Sequence, residues 1–148
     1  MHNDCSNAYR EVAVQTSSPT RLVVMLYEGA IRFLHESVAA IESGDLNAKR
    51  QSIDRAVAVI QHLQTTLDMD RGGDVAAGLN RLYHYITSCI LQGSTKLETA
   101  PLKEAIKLLK VLLAGWEEVA ARERTDSNSV PPLLLAQQAE TSRFELQA

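Results

Sequence analysis

The sequence feature that most constrains the fold is a predicted first helix, from Pro19 to about Ser43, that is apolar around most of its circumference. At about 100° per residue its apolar side chains form two stripes that together cover about 260°, whereas burial of one face needs roughly 100° to 160°. The first stripe contains Leu22, Met25, Leu26, Gly29 and Phe33, and the second contains Val23, Tyr27, Ile31, Leu34, Val38 and Ile41. The rest of the bundle, a terminal segment that folds back or a binding partner must cover the second stripe.

Three more helices follow from the three- and four-residue spacing of apolar side chains. The second spans roughly Leu46 to Leu67, and a tight connection over 68–73 separates it from a third helix that ends near Gly93. The fourth spans about Pro101 to Arg122, with an apolar face opposite a charged one. Four helices joined by short loops predict an all-α fold, an antiparallel four-helix bundle.

Capping residues mark the ends of the first helix. Ser18 can accept hydrogen bonds from the free backbone amides of the first turn, and Pro19 has no N–H group to leave unsatisfied there. Gly44 suits the left-handed conformation that ends many helices, and Asp45 can cap the helix that follows. The first helix is therefore predicted to stop at Gly44 and the second to start directly after it.

The bundle is predicted to cover residues 18–124, between a flexible N-terminal arm over 1–17 and a linker with a C-terminal tail over 125–148. The arm has few apolar side chains, too few to offset the entropy lost when it becomes ordered. In the tail, two prolines precede a short apolar patch, Leu133 to Ala136. This patch could dock on the bundle, lie against a neighbouring chain or belong to a frayed tail.

Composition excludes several classes of protein. A chain of 148 residues, 45% of them apolar, has the size and core of one domain. The net charge of -3 argues against a nucleic-acid partner, because phosphate binding needs clustered Lys and Arg. The N-terminus resembles no signal peptide, and no apolar run approaches the roughly 18 residues that cross a bilayer. We therefore expect a cytoplasmic protein without membrane insertion, with Cys5 and Cys89 as reduced thiols.

The residues that catalysis or metal binding would need do not occur at suitable spacing. None of the four histidines has a carboxylate or cysteine at ligand spacing, and no helix carries the Glu-x-x-His pair of di-iron bundles. The loop over 68–74 begins like a helix-loop-helix calcium site, but its twelfth position, which needs a bidentate Glu, is Leu79. We therefore expect no enzyme activity, no cofactor and no metal.

Three short motifs in order resemble the FliS family of bacterial flagellar secretion chaperones. They are Asn7-Ala8-Tyr9, the run from Leu22 to Phe33, and the run from Leu67 to Ala76 followed by Leu79 and Leu82-Tyr83. The resemblance covers roughly residues 7 to 122. It implies a cytoplasmic export chaperone without ATPase activity. Such a chaperone binds the disordered C-terminal segment of flagellin, prevents premature filament assembly and delivers flagellin to the flagellar type III export gate.

Together with this resemblance, the second stripe predicts a groove for the client helix. The predicted groove residues are Val23, Tyr27, Ile31 and Leu34 from the first helix, with Leu79 and Tyr83 from the third. Leu79 is more often a core leucine than a client contact in such a position. The resemblance also implies that the arm covers part of the groove when the client is absent, with Asn7, Ala8 and Tyr9 as the lid. Alternatively, Tyr9 packs permanently against the bundle.

Two other readings of the same sequence remain open. The first is a regulatory or adaptor bundle whose apolar groove binds another flagellar regulator rather than flagellin. The second is a homo-oligomer, for example a homodimer, in which the first helix of one chain covers that of another across a two-fold axis.

Overall fold

A computed structural model of the chain describes residues 18–125 and 130–138. It contains four long helices, α1 (Pro19–Ser43), α2 (Leu46–Thr65), α3 (Met69–Lys96) and α4 (Thr99–Thr125), and a short helix α5 (Pro132–Ala136). Apart from one isolated β-bridge, the residues in these two ranges contain no β-structure. The all-α prediction is therefore confirmed, and the predicted arm over 1–17 lies outside the described residues.

The predicted caps of α1 and α2 form as expected. The Ser18 side chain accepts a hydrogen bond from the backbone N–H of Arg21 at 3.4 Å, and Pro19 lies in the first turn. Gly44 has a φ of 76°, which favours glycine, and its N–H donates to carbonyls of the last turn of α1. Asp45 then caps α2 by accepting from the backbone N–H of Ala48 at 3.0 Å.

The connection between α2 and α3 is shorter than predicted. Asp68 caps a helical turn that starts at Met69, by accepting from the backbone N–H of Arg71 at 3.0 Å. Gly73 then breaks the helical path with a φ of 50° and a ψ of -126°, a conformation that a residue with a side chain rarely adopts. The predicted glycine turn is therefore a kink within α3 rather than a loop.

The predicted end of the third helix at Gly93 is wrong, because α3 continues to Lys96. Gly93 is buried where α3 meets α4, and a Cβ there would lie 2.8 Å from Cγ of Leu102. The chain reverses only at Leu97, whose φ is 56°. The glycine thus permits close helix packing, a use that sequence spacing does not distinguish from a stop signal.

The four long helices form an antiparallel ring. α1 packs against α2 and α4, and α3 also packs against α2 and α4. Thr20 at the start of α1 donates a 2.6 Å hydrogen bond to Glu123 near the end of α4, so these two helices run in opposite directions. Lys49 near the start of α2 likewise donates to the carbonyl oxygen of Ser94 near the end of α3, at 3.2 Å.

The rest of the bundle covers the second stripe of α1. Because α1 lies between two neighbouring helices, both of its stripes enter the core, with Met25 as the most exposed member. The core is closed by large buried side chains from all four long helices, among them Trp116 from α4. The wide apolar surface of α1 is therefore explained by two helix contacts rather than by an open groove.

The apolar patch in the tail docks on the bundle. α5 packs mainly against α3 and also touches α4, and its last residue, Ala136, is fully buried together with Gln137. Of the alternatives open from sequence, this confirms docking on the chain's own bundle.

Candidate functional site

A buried polar network joins α1, α3 and the residues after α5. The Tyr83 hydroxyl donates to Oε1 of Gln137 at 2.6 Å. Since this uses its only proton, the hydrogen bond between the two tyrosine hydroxyls must be donated by Tyr27. Nε2 of Gln137 donates to the carbonyl oxygen of Leu63 and to Oγ1 of Thr66, both at 2.8 Å. Every polar atom of the Gln137 side chain is therefore paired in a site that excludes water.

Burial keeps both tyrosines protonated. Desolvation raises the pKa of Tyr27 from 10.0 to about 12, although the neighbouring Tyr83 and Trp116 side chains oppose the shift. Desolvation also raises the pKa of Tyr83 far above its ordinary value, and the adjacent Tyr27 hydroxyl adds to the shift. Neither hydroxyl can act as an acid or base near neutral pH, so the network orients and holds side chains.

We expect the protein to lose stability as the pH rises from 10 toward 12. The native state keeps the Tyr27 proton that the unfolded chain releases above pH 10, so the stability is complete below pH 10 and is lost as pH approaches 12. A shift of two pH units corresponds to a loss of about 3 kcal/mol from Tyr27. Urea unfolding at a series of alkaline pH values measures this loss. Tyr27→Phe is the control, and an equally steep loss in that variant would contradict the assignment to Tyr27.

The C-terminal strap, residues Pro131–Gln138, is held on the corner between α2 and α3. The backbone N–H of Asp68 donates to the Ala136 carbonyl at 2.8 Å, and the backbone N–H of Gln138 donates to the Thr66 carbonyl at 2.9 Å. These bonds form an antiparallel bridge between Leu67 and Gln137. The strap is therefore attached by backbone hydrogen bonds as well as by the polar network.

Gly72 permits the strap to approach closely. A Cβ at this position would lie 2.6 Å from Cα of Ala136 and 2.8 Å from its Cβ. These distances are shorter than van der Waals contact. A larger residue in place of either Gly72 or Ala136 must therefore displace the strap. The pairing of a glycine with an alanine thus fixes how deep the strap lies.

An open apolar groove continues from the strap along α3. This α3 groove has a volume of about 460 Å³ and is lined by Val75, Gly78, Leu79, Arg81, Leu82 and Leu133. Leu82 is 36% exposed. Of the other α3 residues that line the groove, only Leu79 is buried. An accessible apolar groove along a helix is the surface that amphipathic helices bind.

A second cavity, of about 310 Å³, lies on the other side of Leu133. It is lined by Val75 and Leu133, by Pro131 and Pro132, and by Gly115, Glu118, Val119 and Arg122 of α4. Leu133 therefore has open space on both sides, and the strap only partly fills the surface on which it lies.

All six residues predicted to line a client groove are buried, namely Val23, Tyr27, Ile31, Leu34, Leu79 and Tyr83. The structure brings Tyr27 and Tyr83 together in the polar network, and Leu79 lies at the floor of the α3 groove. Val23, Ile31 and Leu34 belong to the hydrophobic core of the bundle. Asn7, Ala8 and Tyr9, predicted as a lid, lie outside the described residues.

Sequence reasoning did not select the residues that hold the strap. Gln137 and Thr66 carry no periodic signal, because one follows a short helix and the other ends a long one. The available signal was the run Pro131 to Ala136, whose apolar character predicted an attached segment but not its place. Gly72 was assigned to a turn, whereas its packing role depends on the strap.

The part of the chain that the structure describes contains no cluster of three or more His, Cys, Asp or Glu side chains able to hold a metal ion. Cys89 is a free, buried thiol on α3. No helix within residues 18–125 or 130–138 is both long enough and apolar enough to cross a membrane.

Comparison with known proteins gives consistent matches over most of the chain. The family model described as Flagellar protein FliS matches residues 1–123. A flagellar secretion chaperone FliS from Campylobacter jejuni is 32% identical over 122 residues, which cover 82% of this chain and 95% of that protein. The one from Vibrio cholerae is 30% identical over 116 residues, or 76% of this chain and 85% of that protein. The one from Bacillus subtilis is 29% identical over 119 residues, or 80% and 88%.

Proposed function

Because the chain belongs to the FliS family of flagellar secretion chaperones, we propose that it binds the disordered C-terminal segment of flagellin in the cytoplasm. The family match confirms the resemblance found in the sequence motifs. It also confirms the prediction of a protein that is not an enzyme, because this is a family of chaperones.

The observation that carries the proposal is the α3 groove beside the strap. It is apolar, it runs along one helix, and it already accepts Leu133 from a short helical segment at one end. A flexible client segment that folds into an amphipathic helix can place its apolar side chains over Val75, Leu79 and Leu82. The groove thus has the shape and the chemistry for a helix that is disordered when free.

Binding of this kind explains how a chaperone can hold flagellin without using nucleotide. The terminal segment of flagellin is an assembly element, so covering its apolar face prevents premature polymerisation. Part of the interaction free energy is offset by the entropy lost when the segment becomes ordered. The complex therefore stays releasable, and we propose that it is delivered in this form to the flagellar type III export gate.

The predicted groove residues differ in what client contact would require of them. Leu79 already lines the α3 groove, and departure of the strap, which carries Gln137, would free the Tyr83 hydroxyl for a client. Val23, Ile31 and Leu34 could touch a client only if α1 separated from its neighbours. Client contact at these residues stays a prediction, as does a lid formed by Asn7, Ala8 and Tyr9.

Titration calorimetry with a peptide of about 40 residues from the C-terminus of flagellin, paired with circular dichroism of the mixture, tests the proposal. We expect a 1:1 complex, a negative heat-capacity change and a gain in helicity, because the peptide folds as it buries apolar surface. A peptide of the same composition in scrambled order is the control. Absence of binding by a folded chain would contradict the proposal, and a mass that rises with concentration would favour a homo-oligomer.

A further inference from the structure

The C-terminal strap fills its surface incompletely. Leu133 lies between the α3 groove and the second cavity, while Pro132 is exposed and Leu134 and Leu135 are only partly buried. A helix of five residues is too short to be stable by itself, so the contacts with the bundle hold it in place. A longer helix could lie on the same surface and also fill the open space on either side of Leu133.

The surface under the strap selects a defined side-chain pattern. It has space for a large apolar residue at the Leu133 position, and the backbone of Gly72 allows only a small residue at the Ala136 position. At the Gln137 position it offers one donor, the Tyr83 hydroxyl, and two acceptors, the Leu63 carbonyl and Thr66 Oγ1. Only an amide side chain has both the acceptor and the donors to satisfy these groups.

We propose that this surface is a peptide-binding subsite that the strap occupies in cis, and that a client segment with the same pattern replaces the strap. The pattern is an apolar helical turn that ends in a small residue followed by Gln or Asn. This inference rests on the proposed function and names the client chemistry at that site. The family match ends at residue 123, so the strap is additional to the part of the chain that the match covers.

Occupation in cis lowers the apparent affinity for the client. The client binds only the fraction of molecules in which the strap has left, so the apparent dissociation constant is the intrinsic one divided by that fraction. Mutations that release the strap without changing the subsite must therefore tighten client binding. If the strap were instead a permanent wall of the client site, mutations that release it would weaken client binding.

Gln137→Glu in the full chain separates these two outcomes. A carboxylate cannot donate to the Leu63 carbonyl, and its burial is unfavourable, so the strap is released while the subsite residues stay native. We expect the flagellin peptide to bind about tenfold more tightly, measured by calorimetry. Gln138→Ala is the matched control, because Gln138 is exposed and its side-chain amide donates to Asp68 outside the buried network. Unchanged or weaker binding by a folded Gln137→Glu variant overturns the inference.

A disulfide staple gives a second test in one polypeptide. Leu67 and Gln137 are directly opposite in the antiparallel bridge, a geometry within reach of a disulfide. In a chain with Leu67→Cys, Gln137→Cys and Cys5→Ser, oxidation holds the strap in place and reduction frees it. We expect the oxidised form to bind the peptide at least about tenfold more weakly than the reduced form. Equal binding by both forms overturns the inference but leaves flagellin binding intact.

The two proposals fail in different ways. If neither the native chain nor the reduced variant binds the flagellin peptide, the proposed function is wrong and the client assignment of the subsite is wrong with it. If the native chain binds but neither Gln137→Glu nor the staple changes the affinity, only the role of the strap is wrong.

Discussion

The Leu82→Asp variant is expected to bind the C-terminal peptide of flagellin about 30-fold more weakly or worse, a loss of at least about 2 kcal/mol. Leu82 lines the α3 groove and is 36% exposed, so the client covers it without any change in the bundle. An aspartate there would lose apolar contact area and would become an unpaired charge under the bound helix. Calorimetry of the full chain with the peptide measures the loss.

Leu91→Asp is the matched control for this variant. Leu91 lies on the same helix and is 49% exposed, but it does not line the α3 groove. Both substitutions add the same charge to a partly exposed position of α3, so a general electrostatic effect would weaken binding equally in both. Equal affinities in the two variants would place the client elsewhere on the protein.

Trp116→Ala is expected to lower the free energy of unfolding by about 3 to 5 kcal/mol. Trp116 is fully buried and is among the largest side chains of the core, so truncation leaves a cavity that the four helices cannot close without repacking. Because domains of this size have a total stability of about 5 to 15 kcal/mol, the variant should be close to unfolding. Urea denaturation followed by circular dichroism gives the change.

Val111→Ala, on the same helix, separates this effect from helix propensity. Val111 is 64% exposed, so its truncation removes almost no buried area and should change the stability by less than about 0.5 kcal/mol. A similar loss in both variants would mean that Trp116 does not act through core packing.

The two predictions probe different parts of the molecule. Leu82 lies on an accessible surface, so its variant should fold normally and fail in binding. Trp116 closes the core, so its variant should lose stability first and binding only as a consequence. A client-binding assay and an unfolding curve on both variants therefore distinguish a binding defect from a folding defect.

The sequence by itself determined the helices, their capped ends and the all-α class. These depend on local rules, because the spacing of apolar residues predicts each helix. For α1, Ser18 and Pro19 mark the start and Gly44 marks the end. The family motifs are also linear, so their order and spacing could be read without knowing the fold. Gly93 shows the limit of such predictions. A glycine can end a helix or allow close packing, here against Leu102, and the sequence does not distinguish the two roles.

Only the tertiary structure decided which apolar surface stays open. From the sequence, the apolar surface of α1 was wide enough to predict a client groove. A helix that packs between two neighbouring helices needs an apolar surface of the same width. The partly open surface is on α3, where the strap covers Gly72 and leaves Leu82 accessible. Gln137 gained its role from contacts with Tyr83, Leu63 and Thr66, which are 54 to 74 residues away in the chain. Contacts at such separations follow from how the helices pack together, and no local pattern encodes them.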